Sequence, residues 1–212
     1  MKKILVIGSG GHAKVVIDLI ESSTTFEIVG IVTKNQNIEH FMGYPVIGDD
    51  SVLDGYKRNG IDAIAIGVGG YKDNEQRENI YNLVIIKGFI PVTLVHHSVI
   101  LGRDVSMGRG CVVFPGVVIN TDVKIGNNVI VATSSSVDHE TVVEDHVLIS
   151  AGVTIGANTI IKKGALIALG AKIVSGVTIE EKIIIGAGAV VVNDCKALGM
   201  YLGIPAKMYV RD

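Results

Sequence analysis

"VLISAG VTIGAN TIIKKG ALIALG", residues 147–170, repeats one pattern every six residues. The first place of each hexapeptide is small or β-branched, and the third is isoleucine. Followed outward, the same register runs without insertion through sixteen hexapeptides, from Val99 to Asp194, and its third place is always aliphatic. If aliphatic residues filled about 40% of positions by chance, the odds of that run would be below about 10⁻⁶.

A strict period of six fits neither the turn of an α-helix nor the irregular turn spacing of a β-sandwich. It is typical of a parallel β-helix, in which three hexapeptides form one triangular coil and residues 18 apart stack. Coils then lie about 4.8 Å apart, the spacing of hydrogen-bonded strands. The aliphatic third place faces the interior, and glycine or asparagine allows the chain to turn at the corners.

The first 90 residues have a different pattern, in which strand and helix signals alternate. The predicted strands are 4–7, 27–32 and 61–67, the predicted helices are 12–22 and 73–87, and 44–50 is a short edge element. This alternation indicates a small parallel sheet with helices on its faces. We therefore predict a Rossmann-like α/β domain over 1–92, followed by a β-helix domain with a C-terminal tail over 93–212.

The segment "ILVIGSGGHAKVV", residues 4–16, carries a G-x-G-x-x-A spacing that fits the dinucleotide-binding fingerprint. However, the second strand ends in Thr33 and Lys34, where an NAD enzyme has an acidic residue for the ribose. The predicted domain is also about half the size that both halves of NAD require. The glycines and the helix N-terminus still favour a phosphate, so we expect a nucleotide diphosphate rather than NAD.

Composition excludes several classes of function. A net charge of −2 and 5% aromatic residues offer no basic or stacking surface, so no nucleic acid partner is expected. No run approaches 18 apolar residues, and Ile4–Ile7 is too short for a signal peptide, so we expect a cytoplasmic protein without a membrane partner. The two cysteines and six histidines show no zinc-site spacing, so no metal is expected.

Four segments resemble a known family: "GSGGHAK" at 8–14, "LVHHSVILG" at 94–102, "VDHE" at 137–140 and "GIPAKMY" at 203–209. With the repeat, they are similar to the bacterial sugar-nucleotide acetyltransferases, typified by UDP-4-amino-sugar N-acetyltransferase and the sialic acid O-acetyltransferase-like proteins. The resemblance covers essentially the whole chain. It implies a left-handed β-helix, acetyl-CoA as co-substrate, a nucleotide-linked amino sugar as acceptor, and a homotrimer with its sites between neighbouring subunits.

Acetyl transfer needs a base for the proton of the acceptor. His139 lies two places after the inward Val137, so it should project from a corner of the β-helix. Asp138 and Glu140 flank it, and either carboxylate could orient its ring. The family pattern of a histidine followed by an acidic residue implies that His139 is the base and Glu140 its partner. From composition alone, a solvated corner histidine is the alternative.

The family also carries a second histidine near coenzyme A, nine residues after the first. Leu148 stands at that position in this chain. His146 lies two residues earlier and should face another direction, so the role is not transferred to it.

Stacking at 18 residues places Ala157 one coil above His139, where its backbone amide could stabilise an oxyanion. Two further columns run parallel to the axis and are predicted to accept the pantetheine arm of acetyl-CoA. They consist of Ala151, Leu169 and Ala187, and of Gly152, Gly170 and Gly188. The alternative is that these residues only satisfy the sterics of a corner.

The acceptor is assigned to the N-terminal domain. The glycine loop offers Gly10 and Gly11, and the resemblance maps His12 and Gly67 onto contacts with the sugar nucleotide. A locally bonded helix-start residue is the alternative for His12. Thr33-Lys34 replaces an acidic pair that the family uses near the base, which leaves uridine, guanosine and thymidine open.

The sequence thus predicts an acetyl-CoA-dependent N-acetyltransferase that acts on a nucleotide-linked amino sugar in bacterial glycan biosynthesis. Two alternatives are a sugar O-acetyltransferase, which could use the same base, and a non-catalytic scaffold that binds a sugar nucleotide.

Overall fold

The chain forms two compact units. The computed structural model describes residues 1–35, 37–70 and 73–209. Within them, the first unit contains 1–70 and 75–94, and the second contains 73–74 and 95–209. The division after residue 94 lies two residues from the predicted boundary at 92/93.

The first unit is a mainly parallel sheet with helices. Its strands are β1 (Lys2–Ile7), β2 (Phe26–Val32), β3 (His40–Phe41), β4 (Tyr44–Gly48), β5 (Ala63–Ile66) and β6 (Ile90–Pro91). Its helices are α1 (Gly11–Glu21), α2 (Leu53–Arg58), which follows the 3₁₀ turn Asp50–Val52, and α3 (Glu75–Ile86). The strand order is β3-β4-β2-β1-β5-β6, and only the β3–β4 pair is antiparallel.

This topology confirms the predicted α/β class. Continuous apolar runs in β1 and β5 are buried on both faces, as the central strands of a parallel sheet require. One detail of the prediction was wrong, because β3 forms the edge of the sheet and segment 44–50 supplies the strand next to it. Within the described ranges, no helix of the protein has the length and apolar character that crossing a membrane requires.

The second unit is a left-handed parallel β-helix. Its two-residue strands occupy the second and third places of the hexapeptides and pair in parallel with residues 18 positions away. Face 1 contains Ile100–Leu101, Val118–Ile119, Ser136–Val137, Thr154–Ile155, Lys172–Ile173 and Val190–Val191. Face 2 contains Ser106–Met107, Lys124–Ile125, Val142–Val143, Ile160–Ile161 and Thr178–Ile179. Face 3 contains Val112–Val113, Ile130–Val131, Leu148–Ile149, Leu166–Ile167, Ile184–Ile185, Met200–Leu202 and the antiparallel Lys207–Tyr209. A further short strand, Leu94–Val95, lies at the division between the units.

Third-place side chains fill the interior of the β-helix, as the pattern predicts. From Val113 to Val191, each of them is at most 5% exposed. The exceptions are Leu101, which is 47% exposed, and Met107, which is partly buried, because both lie in the first coil, with no earlier coil to cover them. Stacked aliphatic ladders of this kind stabilise the coils through burial of apolar surface and close packing.

The corners turn through the sixth place of each hexapeptide, which has a left-handed backbone conformation at every position from Asp104 to Gly188. We name the corners by these residues. Corner A, between faces 1 and 2, contains Asp104, Asp122, Glu140, Asn158 and Gly176. Corner B, between faces 2 and 3, contains Gly110, Asn128, His146, Gly164 and Lys182. Corner C, between faces 3 and 1, contains Gly116, Ser134, Gly152, Gly170 and Gly188.

Glycine at the fourth place of a hexapeptide is required for a different reason. A Cβ on Gly156 would lie 2.5 Å from the backbone N of Ser175 in the next coil, and a Cβ on Gly102 would meet Thr121 equally closely. Glycine is required there because successive coils approach each other, whereas at the sixth place it permits the left-handed turn.

The interior ladder predicts a large penalty for truncation. Ile149 is fully buried between the stacked Val131 and Ile167, so Ile149→Ala should lower the free energy of unfolding by about 2–5 kcal/mol. The outward-facing Thr154→Ala is the control and should change it by about 0.5 kcal/mol or less. Urea-induced unfolding measures both, and equal effects would contradict the inward assignment of the third place.

Candidate active site

His139 and Glu140 form a hydrogen-bonded pair at corner A. The Nδ1 atom of His139 lies 3.0 Å from Oε2 of Glu140. An ionised carboxylate only accepts hydrogen bonds, so Nδ1 carries a proton, and in the neutral ring Nε2 holds the lone pair. The two side chains are 51% and 57% exposed, so a substrate can reach the ring. This arrangement can act as a general base.

The neighbouring coils hold the backbone of this pair in place. Glu140 has a φ of 58°, and its N–H donates to the carbonyl of Thr121 in the preceding coil. In the following coil, Asn158 donates from its N–H to the carbonyl of His139, and its side-chain amide lies 3.4 Å from Oε2 of Glu140. The backbone on both sides of the pair is therefore fixed by neighbouring coils.

Asp138 contacts the backbone of His139 and not its ring. Its Oδ1 accepts the N–H of His139 at 2.8 Å and the side-chain amide of Asn120 at 2.9 Å. These two donors hold the pKa of Asp138 below its ordinary value. Of the two carboxylates that flank the histidine, Glu140 is therefore the one in position to orient the imidazole.

Ala157 lies at the same corner as His139, one coil further on. It is buried, and within the described part of the chain its backbone N–H has no hydrogen-bond acceptor. An N–H group in that state suits the predicted contact with a developing negative charge.

The two predicted columns lie at corner C, so the structure does not bring them together with His139 in one chain. Their glycines, Gly152, Gly170 and Gly188, have left-handed conformations, which accounts for the residue type. A Cβ on Gly170 or Gly188 would meet no atom within 4 Å, so this edge is open to a ligand. The neighbouring column does not consist of small side chains alone. Its middle residue, Leu169, is exposed and projects between Ala151 and Ala187.

His146 faces away from corner A. It is buried at corner B, where its Nδ1 lies 2.9 Å from the side-chain amide of Asn128 and its carbonyl accepts the amide of Asn74 at 2.7 Å. Leu148, at the position of the family's second histidine, is buried on face 3.

In parallel sheets of this kind, ligands bind in a crevice outside the carboxyl ends of the strands, at the point where the strand order reverses. Chain order runs from β1 outward to β2 and β4 and then returns to β5 on the other side of β1, which makes the carboxyl ends of β1 and β5 a topological switch point. The glycine loop follows β1 at this point. No side chain caps α1, and a Cβ on Gly10 or Gly11 would meet nothing within 4 Å. This open helix N-terminus suits an anionic ligand.

Other residues that were predicted to contact the sugar nucleotide make contacts with other parts of the protein. Gly67 is buried, and a Cβ there would lie 2.8 Å from that of Ala13, so glycine permits α1 to pack against β5. Thr33 is buried, with its hydroxyl 2.8 Å from that of Ser9. Lys34 is exposed, and its Nζ lies 3.9 Å from Asp50.

His12 is the second residue of α1 and is partly buried. Its Nε2 lies 3.5 Å from Nη1 of the buried Arg77. Burial, followed by the positive charge of Arg77, lowers the pKa of His12 from 6.5 to about 3. With that pKa, the ring is neutral at pH 7.

The described residues contain no group of three or more histidine, cysteine or acidic side chains that could hold a metal ion.

The sequence analysis missed Asn120 and Asn158, which contact the two carboxylates beside His139. The period of 18 could have found them, because Asn120 lies 18 residues before Asp138 and Asn158 lies 18 residues after Glu140. The sequence analysis also missed Arg77, for which the helical pattern offers no signal.

The shifted pKa of His12 predicts a specific pH dependence of stability. The unfolded chain binds a proton below about pH 6.5 and the folded chain does not, so stability decreases as the pH falls. Between pH 7 and pH 5, this residue should lower the free energy of unfolding by about 2 kcal/mol. Urea unfolding of the wild type and of His12→Gln at each pH isolates the effect, and parallel curves would contradict it.

Comparison with known proteins relates this geometry to characterised enzymes. A model of the PglD N-terminal domain matches residues 3–84, and curated protein sequences give no match. A histidine-to-alanine variant of GDP-perosamine N-acetyltransferase from Caulobacter crescentus, in complex with CoA and GDP-perosamine, is 29% identical, with a TM-score of 0.93 over 100% of this chain and 98% of that chain. The acetyltransferase domain of PglB from Neisseria gonorrhoeae, in complex with acetyl coenzyme A, is 31% identical, with a TM-score of 0.90 over 98% of this chain and 99% of that chain.

These likenesses extend over both units and include the repeat. With 31% identity to a hexapeptide-repeat acetyltransferase along almost its whole length, the chain belongs to the sugar-nucleotide N-acetyltransferases, enzymes that use acetyl-CoA to acetylate the amino group of a nucleotide-linked sugar.

Proposed function

We propose that this protein acetylates the amino group of a nucleotide-linked amino sugar with His139 as its general base and Glu140 as the partner that orients the base. The observation that carries the proposal is the 3.0 Å contact between Nδ1 of His139 and Oε2 of Glu140 at an exposed corner. Asp138 supports the pair because it holds the backbone N–H of His139.

The path of the transferred proton defines the role of each residue. When the amine becomes an amide, a C–N bond forms, the C–S bond of the thioester breaks, and one proton leaves the nitrogen. Nε2 of His139 takes that proton because Nδ1 is already protonated against Glu140. The carboxylate then stabilises the imidazolium, and the proton returns to the departing thiolate.

Acetyl-CoA supplies the activated acyl group when it is bound. For its arm we propose the open glycine edge of corner C, with Gly152, Gly170 and Gly188, and we propose the N–H of Ala157 at corner A as the donor to the carbonyl oxygen. A homotrimer reconciles these two places, because neighbouring subunits in a ring would bring corner A of one chain to corner C of the next.

The acceptor nucleotide is proposed to lie in the crevice between β1 and β5, against Gly10, Gly11 and His12. The GDP-perosamine enzyme of Caulobacter crescentus binds a GDP-linked amino sugar, which makes a GDP sugar one candidate among the nucleotide sugars.

The location is proposed to be cytoplasmic, since within the described chain the two cysteines form no disulfide, as expected in a reducing compartment.

Replacement of the base tests the site assignment. His139→Ala should lower kcat by roughly 10²–10⁴-fold, because the proton of the amine loses its acceptor. Glu140→Gln should lower it less, since the ring is retained but no longer oriented by a charge. The matched control is His40→Ala, an exposed histidine on β3, which should retain full turnover. Light scattering should give the mass of three chains for every variant, and near-normal turnover of His139→Ala would contradict the assignment.

The class of acceptor is tested by a thiol-release assay with acetyl-CoA. UDP-, GDP- and dTDP-linked amino sugars are each compared with the matching sugar that carries a hydroxyl in place of the amine. We expect release of CoA with at least one amino sugar and none with its hydroxyl counterpart. Turnover of the hydroxyl sugar alone would indicate O-acetylation, and binding of the nucleotide without any turnover would indicate a scaffold.

A further inference from the structure

Asn120 is the stacked neighbour of Asp138 at corner A. Both residues occupy the fourth place of their hexapeptides, 18 positions apart on neighbouring coils. The side-chain amide of Asn120 donates to Oδ1 of Asp138 at 2.9 Å, and the same oxygen accepts the backbone N–H of His139 at 2.8 Å. The fourth place of the following coil is Gly156, which has no side chain. Within the described residues, Asn120 is therefore the only side chain that donates to this carboxylate.

Asp138 and Glu140 flank the same imidazole. In the neutral ring, the N–H at Nδ1 makes one strong hydrogen bond, and Glu140 accepts it at 3.0 Å. The pKa of Asp138 is lowered by the backbone N–H of His139, by the amide of Asn120 and, less strongly, by the positive charge of a protonated His139. The ring thus lies within the electrostatic range of Asp138, which makes this carboxylate a competing acceptor.

The two carboxylates differ in how firmly they are held. Asp138 accepts two short hydrogen bonds. Among the described residues, the only donor to Glu140 besides the ring is the side-chain amide of Asn158, at 3.4 Å, a distance at which a hydrogen bond is weak. Without the amide of Asn120, Asp138 would keep one neutral donor. An imidazolium, which forms when the base takes up its proton, attracts a carboxylate more strongly than a neutral N–H does.

We propose that Asn120 is a positioning residue that holds Asp138 on the backbone of His139, so that Glu140 alone orients the ring while it takes up the proton. That this proton comes from a sugar amine rests on the proposed function, whereas the placement of the two carboxylates does not. If Asp138 turned toward the ring, it would draw Nδ1 away from Glu140 and rotate Nε2 out of line with the acceptor. A displacement of about 1 Å at a reacting atom can slow an enzyme roughly 10²-fold.

A double-mutant cycle of Asn120 and Asp138 tests this role in kinetics. Asn120→Ala should lower kcat roughly tenfold and change the KM of either substrate by no more than about twofold, because the ring is misdirected but both binding sites are retained. Asp138→Asn removes the competing charge and retains an oxygen that accepts the N–H of His139. In that background, Asn120→Ala should lower kcat by no more than about twofold. An equal loss in both backgrounds would overturn the proposal.

Asn127→Ala is the matched control. Asn127 makes the same kind of contact with an aspartate 18 positions further on, because its side-chain amide lies 3.1 Å from Oδ1 of Asp145, but this pair lies at corner B. Its replacement removes a stacked asparagine in the same way and should change kcat by no more than about twofold. A loss as large as that of Asn120→Ala would show a general effect on the coils and would overturn the specific role of Asn120.

Crystal structures of the wild type and of Asn120→Ala separate this proposal from the proposed function. At about pH 5, where an ordinary imidazole is protonated, we expect Asp138 to stay on the backbone N–H in the wild type. In the variant, we expect one of its oxygens within about 3.2 Å of Nδ1 of His139. A variant with Asp138 still on the backbone would overturn the proposal, whatever its turnover. A turned carboxylate in a protein that acetylates no amino sugar would count against the proposed function alone.

Discussion

The left-handed conformation at every sixth residue is the constraint on which the β-helix depends. It closes each corner in the same way, so that every coil repeats the last and side chains 18 positions apart stack. The interior ladders follow from this register, because one inserted residue would move the aliphatic third place out of the core. The same register decides which polar residues meet on the outside of the corners.

Corner A is where this regularity brings His139 and Glu140 together. Left-handed conformations favour glycine, and a side chain there costs about 1–2 kcal/mol. Eight of the sixth-place positions from Asp104 to Gly188 nevertheless carry a side chain, and that of Glu140 contacts His139. A glycine at 140 would relieve the turn but leave the imidazole without an acceptor. The backbone bonds to the coils on either side hold the pair without a loop or a lid.

Periodicity could predict the β-helix, its interior and the corner position of His139, because these depend only on register. It could not separate Asp138 from Glu140 as the partner of the ring, since that choice depends on side-chain rotamers. The corner C columns were predicted from the same spacing, and because Ala151 follows His139 by 12 residues and not by 18, that spacing already places them on a different edge. In the first unit, the glycine pattern marked the loop at the switch point, whereas Gly67 proved to be a packing residue and Arg77 gave no signal, because their environments come from distant segments.

We propose that the reaction takes place at Nε2 of His139. A crystal structure of the protein with CoA and an unreacted nucleotide amino sugar tests it most directly. We expect the sugar amine to lie within about 2.6–3.2 Å of Nε2, or to be linked to it by one water, with Nδ1 still hydrogen-bonded to Glu140. An amine bound at corner B or corner C, out of reach of His139, would contradict it.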